Sequence, residues 1–279
     1  MCHACVMENV KSSMLSRRSF FRGGVAAAAA AAAVTAMPQP LLADSPPLFA
    51  GGVPGTVSDL THELYEDFPT FFGGQQVFYD KKFSYEKDTF NLYELRINEH
   101  TGTHIDAPLH FSADGKSVAE LPVEDLVAPL VVVDIRAKAA GNADAQLTPD
   151  DLKAWVAANG DLPDGAVVAL NSGWDAHLGT EKFRNADAEG KMHFPGFHVE
   201  AIHQLLEGSA KAIAVDTLSL DFGPSPDFAV HNTWLPAGRY GIEGLANLGA
   251  LPAKGATLVV GAPKVRGGTG GPARVFAFV

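Results

Sequence analysis

The sequence predicts an α/β fold with a mixed β-sheet core and flanking helices. Strand and helix patterns alternate through the middle of the chain, and the part before residue 130 is rich in strand patterns. Hydrophobic residues make up 47% of the 279 residues and charged residues 19%, a composition that supports a sizeable core. We therefore expect residues 44–279 to form a single domain.

The predicted strands are short runs of apolar or alternating residues. Residues 93–98 alternate apolar and polar side chains, which is typical of a strand with one exposed face. Four mostly apolar runs are typical of buried strands, and they occupy residues 130–135, 167–170, 212–216 and 257–260.

Two helices are predicted between these strands. Thr148 can cap the first, Pro149 suits its first helical position, and Asp151 lies near its positive end. This helix is expected to end at Gly160. The second helix is predicted over residues 199–206.

Residues 1–43 differ in composition from the rest of the chain. The run Ser16 to Arg22, "SRRSFFR", is a twin-arginine signature, and an alanine-rich segment and the small residue Ala43 follow it. This order is typical of an export signal, and the apolar run is short for a membrane span. We expect export by the twin-arginine machinery to the periplasm or the exterior, with an N-terminal anchor helix as the alternative.

The charge and the cysteine content exclude several function classes. The formal net charge is −11, which argues against nucleic acid and anionic membranes as partners. Both cysteines, Cys2 and Cys5, lie within the predicted signal. We therefore expect no disulfide and no thiolate metal site in the mature domain.

One segment, "HTGTHIDAPLHF" at residues 100–111, concentrates metal-binding residue types. Gly102 and its β-branched neighbours disfavour a helix, so we predict an extended segment. In a strand, His100, Gly102, His104 and Asp106 would share one face. A cation could then lie over Gly102, with imidazoles on either side and a carboxylate at the end.

The end of this segment suggests a second role. Pro108 should end the strand, so that His110 need not share the face of the ligands. His110 could then act as a general acid and base rather than as a further ligand. The alternative is that the histidines of the segment are surface or core residues.

A catalytic metal takes about three or four protein groups, so further ligands are expected downstream. His231 and Glu243 flank a turn signal at residues 236–238 and could face one pocket. Asp216 and Asp221 are additional candidates, and each of these residues could instead be a solvated group.

The segment at residues 100–110 resembles the HxGTHxDxPxH signature of the metal-dependent cyclase family, which includes bacterial kynurenine formamidases and isatin hydrolases. Five further blocks follow in the family order, at residues 172–177, 194–197, 216–221, 241–248 and 267–274. The resemblance runs from about residue 57 to the C terminus. It implies a swivelling β/β/α fold and a homo-oligomer.

The resemblance also implies a role for each site residue. It assigns five metal ligands, namely His100, His104, Asp106, His231 and Glu243. Asp106 and Glu243 would bridge two ions, and His110 would be the proton donor or acceptor. The implied cofactor is a divalent metal, zinc with manganese as the alternative, bound as one or two ions.

The expected activity is hydrolysis of a small amide, formamide or lactam C–N bond. The metal would activate water, and Phe68 and Trp174 could stack on an aryl substrate or pack in the core. Two alternatives remain open: a cyclase or dehydratase that acts on another small carbonyl compound, and a metal-binding protein without turnover.

Overall fold

The computed structural model describes residues 55–279, so the predicted export signal at residues 1–43 lies outside the described residues. The described part contains thirteen strands. Numbered along the chain, they are β1 (Val57–Asp59), β2 (Val77–Phe83), β3 (Leu92–Ile97), β4 (His104–Asp106), β5 (Val127–Asp134), β6 (Gln146–Leu147), β7 (Val167–Asn171), β8 (Gly196–Phe197), β9 (Ala212–Val215), β10 (Tyr240–Glu243), β11 (Ala256–Gly261), β12 (Gly270–Pro272) and β13 (Arg274–Phe278).

Helices connect and flank these strands. The α-helices are α1 (Tyr85–Asp88), α2 (Arg136–Gly141), α3 (Pro149–Asn159), α4 (Val199–Leu206) and α5 (Ala229–Trp234). Short 3₁₀ helices occupy Pro108–His110, Val118–Glu120, Val123–Leu126, Trp174–His177, Glu181–Phe183, Leu235–Ala237 and Leu248–Ala250. Among residues 55–279, none of the helices combines the length and the apolar character that crossing a membrane requires.

Nine strands form one mixed sheet in the order β1-β13-β11-β5-β7-β9-β10-β4-β12. The central strands β5, β7, β9 and β10 are parallel, and the outer strands pair antiparallel. The apolar runs predicted as strands became β5, β7, β9 and β11, and residues 93–98 became most of β3. The predicted α/β class with a mixed sheet is therefore confirmed.

The two faces of the central sheet are covered differently. Val131 and Val133 of β5 pack in a cluster with residues of α3, α4 and α5. Leu130 and Val132 point to the other face, where the cluster consists mainly of residues from the sheet's own strands. The sheet therefore curls around one core while helices cover the other.

Both predicted helices are present. The backbone N–H of Thr148 donates to Asp151 Oδ2 at 2.7 Å, so the predicted capping residues hold the start of α3. Gly160 follows this helix with φ +84°, a backbone region that favours glycine. Helix α4 has the predicted bounds of residues 199–206.

The prediction of a continuous strand over residues 100–106 is wrong in its first half. Only His104–Asp106 form a strand, and Gly102 has φ +66° in a bend before it. The positive φ favours glycine at this position, and a Cβ atom there would lie 2.2 Å from Leu64 Cδ2, so the Leu64 side chain would have to move. The predicted end of the strand is confirmed, because Pro108 begins a 3₁₀ helix.

Candidate metal centre

Two neighbouring antiparallel strands bring the predicted ligands of distant segments together. In the register of β4 and β10, Glu243 lies opposite His104, and Gly241 lies opposite Asp106. Directly opposed residues of an antiparallel pair hold their side chains on the same face. As a result, His104 Nε2 lies 3.3 Å from Glu243 Oε2 and 3.3 Å from Asp106 Oδ1.

Asp106 has a glycine opposite it on each neighbouring strand. Gly241 of β10 and Gly270 of β12 are its two partners across the sheet. A Cβ atom at Gly270 would lie 2.9 Å from His100 Cε1 and closer still to the Ile105 carbonyl oxygen. A side chain at Gly270 would therefore compete with His100, which contacts the Asp106 carboxylate.

Helix α5 supplies the fifth predicted ligand. His231 Nε2 lies 3.1 Å from Glu243 Oε1 and 3.5 Å from Asp106 Oδ2. His100 Nδ1 lies 2.7 Å from Asp106 Oδ1. The structure thus brings all five predicted ligands together, and we call them the metal cluster: His100, His104, Asp106, His231 and Glu243.

Each imidazole of the metal cluster has an outward hydrogen bond. His104 Nδ1 is 2.9 Å from the Gly102 carbonyl oxygen, which the left-handed turn at Gly102 presents to it. His231 Nδ1 is 2.6 Å from Asp221 Oδ2. Because these acceptors carry no proton, each ring donates outward from Nδ1 and turns Nε2 toward the cluster.

The third imidazole is fixed through a hydroxyl group. The Thr269 hydroxyl donates to Glu99 Oε2 at 2.5 Å, so its oxygen accepts a hydrogen bond from His100 Nε2 at 2.9 Å. His100 Nδ1 lies 2.7 Å from Asp106 Oδ1, so this nitrogen is the one that faces the cluster. Oriented imidazoles with their second nitrogen held by an acceptor are typical of metal ligands.

The donor atoms fit a divalent cation. His104 Nε2 and Asp106 Oδ2 are buried and have no hydrogen-bond partner within residues 55–279. His104 Nε2 faces a carboxylate oxygen of Asp106 and one of Glu243, and Asp106 Oδ2 faces His231 Nε2. Imidazole nitrogen with carboxylate oxygen suits zinc or manganese.

The buried carboxylates require positive charge beside them. Burial lowers the pKa of His104, but Asp106 and Glu243 outweigh it and raise its pKa to about 10. Burial likewise lowers the pKa of His231, and the surrounding carboxylates raise it well above its ordinary value. Burial raises the pKa of Asp106, yet His104 and the other histidines hold it well below its usual range. A bound cation would supply this charge directly.

His110 lies at the edge of the metal cluster. Its ring stacks on that of His100 at 3.8 Å between centroids and is 5.9 Å from the His231 ring. Burial lowers the pKa of His110 to about 4, so the ring is neutral near pH 7. Its geometry with His100 and Asp106 would also allow it to bind a metal.

A small aromatic cavity of about 140 Å³ opens onto the metal cluster. Its apolar wall consists of Phe71, Phe72, Phe111, Phe228 and Leu218. We call this space the aromatic cavity. Its walls come from three separate segments, two of which also carry a histidine of the centre.

Phe68 and Trp174 are not among the residues that line the aromatic cavity, and they lie in a hydrophobic cluster that adjoins it through Phe71 and Leu218. Phe68 packs edge-on against Phe183 at 6.3 Å between centroids, and Trp174 Nε1 donates to the Phe183 carbonyl oxygen. Their contact with a substrate stays a prediction, while their observed contacts are those of core residues.

Sequence reasoning missed the aromatic wall, although a signal for it was present. Phe111 follows His110 directly, and Phe228 lies three residues before His231. Phe71 and Phe72 follow Phe68 and Pro69 in the same run. Aromatic residues next to predicted ligands are therefore better candidates for the pocket wall than more distant ones.

The additional candidates Asp216 and Asp221 differ in their position relative to the metal cluster. Asp221 contacts the cluster through His231, whose Nδ1 and backbone N–H both reach Asp221 Oδ2, and its other oxygen accepts from the Val230 N–H at 2.9 Å. Asp216 accepts hydrogen bonds from Ser172 and Trp174, and burial raises its pKa to about 7. Asp221 therefore orients His231, whereas Asp216 holds the chain after β7.

An Asp221→Asn variant is expected to weaken metal affinity about 10- to 100-fold, the usual effect of losing a partner that orients a ligand. The amide keeps one oxygen acceptor, but both carboxylate oxygens are in use. Competition with a chromogenic chelator would measure the affinity. Asp216→Asn is the matched control, because Asp216 is equally buried but touches no ligand. Equal losses in both variants would contradict the orienting role.

Comparisons with known proteins agree with this geometry. A sequence model of the Cyclase family matches residues 58–222. An isatin hydrolase from Roseibium aggregatum is 37% identical over 193 residues, which cover 66% of this chain and 73% of that protein. A kynurenine formamidase from Salinibacter ruber is 30% identical over 189 residues, which cover 68% of this chain and 80% of that protein.

A solved structure extends the comparison to most of the described residues. The crystal structure of an isatin hydrolase bound to the product analogue thioisatinate has a TM-score of 0.75 at 34% identity, and the match covers 80% of this chain and 92% of that one. The Cyclase match itself includes His100 to His110, whereas His231 and Glu243 lie beyond it.

Proposed function

The chain belongs to the Cyclase family, and from this premise we propose that its metal cluster serves the hydrolysis of a small aromatic amide. The protein is a metal-dependent hydrolase of C–N bonds other than peptide bonds, like the isatin hydrolase and kynurenine formamidase it resembles. The observation that carries the proposal is that three imidazoles and two carboxylates contact one another beside the aromatic cavity, with Asp106 in contact with all three imidazoles.

The chemistry divides between the cofactor and the side chains. A divalent metal, when bound, polarises a carbonyl group and lowers the pKa of water toward neutrality. The metal cluster would hold it, and Asp106 and Glu243 would balance its charge. A ring nitrogen of His110 would take a proton from the attacking water and later give it to the leaving nitrogen. The phenylalanines of the aromatic cavity would exclude bulk water.

The size of the aromatic cavity favours a substrate with one aromatic ring. A cavity of about 150 Å³ lined by apolar residues accommodates benzene in another protein, and the present volume is about 140 Å³. Phenylalanine rings pack well against an aryl group. We therefore propose an aryl formamide or an aryl lactam as the substrate class, which includes isatin and N-formylkynurenine.

We propose zinc as the metal, with manganese as the alternative. Two groups of residues could each hold an ion, His100 with Asp106 and His110, and His104 with Asp106 and Glu243. Because both groups contain Asp106, this carboxylate could bridge two ions. Elemental analysis of the purified protein would distinguish one ion from two and would identify the metal.

The proposed function predicts metal-dependent hydrolysis of aryl amides. Metal-free protein should be inactive toward isatin, N-formylkynurenine and formanilide, and zinc or manganese should restore hydrolysis of at least one. Absorbance of the released aryl amine or ring-opened acid would follow the reaction. Full activity in metal-free protein would overturn the mechanism. Tight metal binding without turnover of any amide would favour the cyclase, dehydratase or metal-binding alternatives.

Export from the cytoplasm and the oligomeric state stay predictions. Export by the twin-arginine machinery depends on residues 1–43, and cell fractionation of a variant with lysines at Arg17 and Arg18 would test it. The homo-oligomer would be tested by light scattering of the purified protein.

A further inference from the structure

Two hydroxyl groups line the aromatic cavity and lack hydrogen-bond partners. Thr70 is 2% exposed and Ser219 is 3% exposed. Neither hydroxyl oxygen has a partner within residues 55–279. Buried polar side chains normally satisfy their hydrogen bonds, and leaving one without a partner is costly. Both hydroxyls are therefore candidates for contact with a bound molecule.

The other residues that line the cavity are mostly apolar or belong to the reaction centre. Apart from the metal cluster and His110, the lining consists of phenylalanines, Leu218 and Gly102, together with Thr70 and Ser219. Among the described residues, these two thus supply the polar side chains of the lining that lie outside the reaction centre. Binding pockets commonly combine an apolar wall with a few polar groups that fix the orientation of the ligand.

Each hydroxyl belongs to a segment that already shapes the site. Ser219 precedes Leu220, whose N–H donates to Glu243 Oε1 at 2.9 Å, so it lies next to the metal cluster. Thr70 precedes Phe71, whose ring is 5.8 Å from the Phe228 ring. Ser219 therefore lies beside the metal cluster, and Thr70 lies beside the aromatic wall.

We propose that Thr70 and Ser219 are specificity-determining residues that bind an oxygen atom of the substrate other than the scissile carbonyl. The inference rests on the proposed function, because it presumes an aryl amide in the aromatic cavity. A hydroxyl can donate a hydrogen bond, and a ketone or carboxylate oxygen accepts two. The substrate would therefore carry a second oxygen-bearing group on its ring, beside the amide.

Selectivity follows from the same contacts. A ring that carries an alkenyl group in place of the ketone has nearly the same shape but leaves both hydroxyls without partners. Sites built around buried hydrogen bonds discriminate strongly against analogues that cannot form them. The cavity should therefore prefer the oxygen-bearing ring, whatever the intrinsic reactivity of the amide.

A matched pair of amines tests this preference without turnover. In ortho-aminoacetophenone the ring carries a ketone oxygen, and in ortho-isopropenylaniline a methylene group replaces that oxygen. Isothermal titration calorimetry would give the dissociation constant of each amine from the metal-loaded protein. The wild-type protein is expected to bind the ketone roughly three- to tenfold more tightly, the range for one or two neutral hydrogen bonds.

Substitutions then assign the preference to the hydroxyl pair. Thr70→Val and Ser219→Ala should each reduce the ratio of the two dissociation constants by about threefold. Thr70→Ser keeps the hydroxyl and should keep the ratio. Thr101→Val is the control, because Thr101 is 1% exposed and its hydroxyl also lacks a partner among residues 55–279, but it does not line the aromatic cavity. Its ratio should equal that of the wild type.

The outcomes separate this inference from the proposed function. Equal affinity of the wild-type protein for both amines, or binding of neither, would contradict the proposal that Thr70 and Ser219 bind a substrate oxygen. A preference that survives in both Thr70→Val and Ser219→Ala would also overturn it and would indicate that the hydroxyls hold only water. Hydrolysis of the corresponding formamides tests the proposed function separately, so either idea can fail while the other stands.

Discussion

An Asp106→Asn variant is expected to lose its bound metal and, with it, amide hydrolysis. Asp106 contacts three imidazoles of the metal cluster, and it belongs to both groups of residues that could hold an ion. The amide has no negative charge and can offer only one oxygen. We expect metal affinity to fall by more than about 100-fold, the upper end of the effect of losing an outer partner of a ligand.

Thermal unfolding provides a readout that does not depend on activity. A metal present at about 100 times its dissociation constant stabilises a protein by about 2.7 kcal/mol. The wild-type protein should therefore gain in Tm when zinc or manganese is added, and Asp106→Asn should not. Asp161→Asn is the control, because Asp161 is an exposed aspartate outside the site. An unchanged metal-dependent gain in the Asp106 variant would rule out its central role.

Replacing His110 with alanine is expected to lower kcat by about 10²- to 10⁴-fold, the usual contribution of a general acid and base. Metal content should stay the same, because the proton-transfer role does not require His110 to bind the ion. If His110 is instead a ligand with His100 and Asp106, elemental analysis would show loss of metal. Steady-state kinetics and elemental analysis on the same sample distinguish the two roles.

Chemical rescue strengthens the His110 experiment. The alanine variant leaves space beside the His100 ring, against which His110 stacks at 3.8 Å. Added imidazole should therefore restore part of the lost kcat. The matched control is His203→Ala, because His203 is exposed on α4 and should affect neither rate nor metal. Full metal and full rate in His110→Ala would show that the ring has no part in proton transfer.

The residues predicted as ligands lie close together in the structure, but their local geometry could not be predicted from sequence. His100, His104 and Asp106 meet as expected, although only the last two lie on a strand. The turn at Gly102 depends on Leu64, which closes over it, and on the Thr103 hydroxyl, which donates to the Gly244 carbonyl oxygen. Contacts over such distances leave no period in the local sequence, so the pattern alone favoured a longer strand.

The wall of the pocket was harder to predict than the ligands. Residue type and spacing restrict metal ligands strongly, whereas any phenylalanine can serve either a core or a cavity. Phe68 and Trp174 lie in the core cluster, and Phe111 and Phe228 form part of the wall. The choice depends on which segments the fold brings next to His231, and this is a property of the tertiary structure.

The position of β4 in the sheet has a consequence for biosynthesis. This strand carries His104 and Asp106, yet its two neighbours are β10 and β12, which are made more than a hundred residues later. Chains emerge from the ribosome at about 5–20 residues per second, and contacts between distant segments form late. The imidazoles of His100 and His104 are therefore not held in place until Thr269 and Glu243 have been synthesised. An ion held by His104, Asp106 and Glu243 should therefore bind only after β10 has been synthesised.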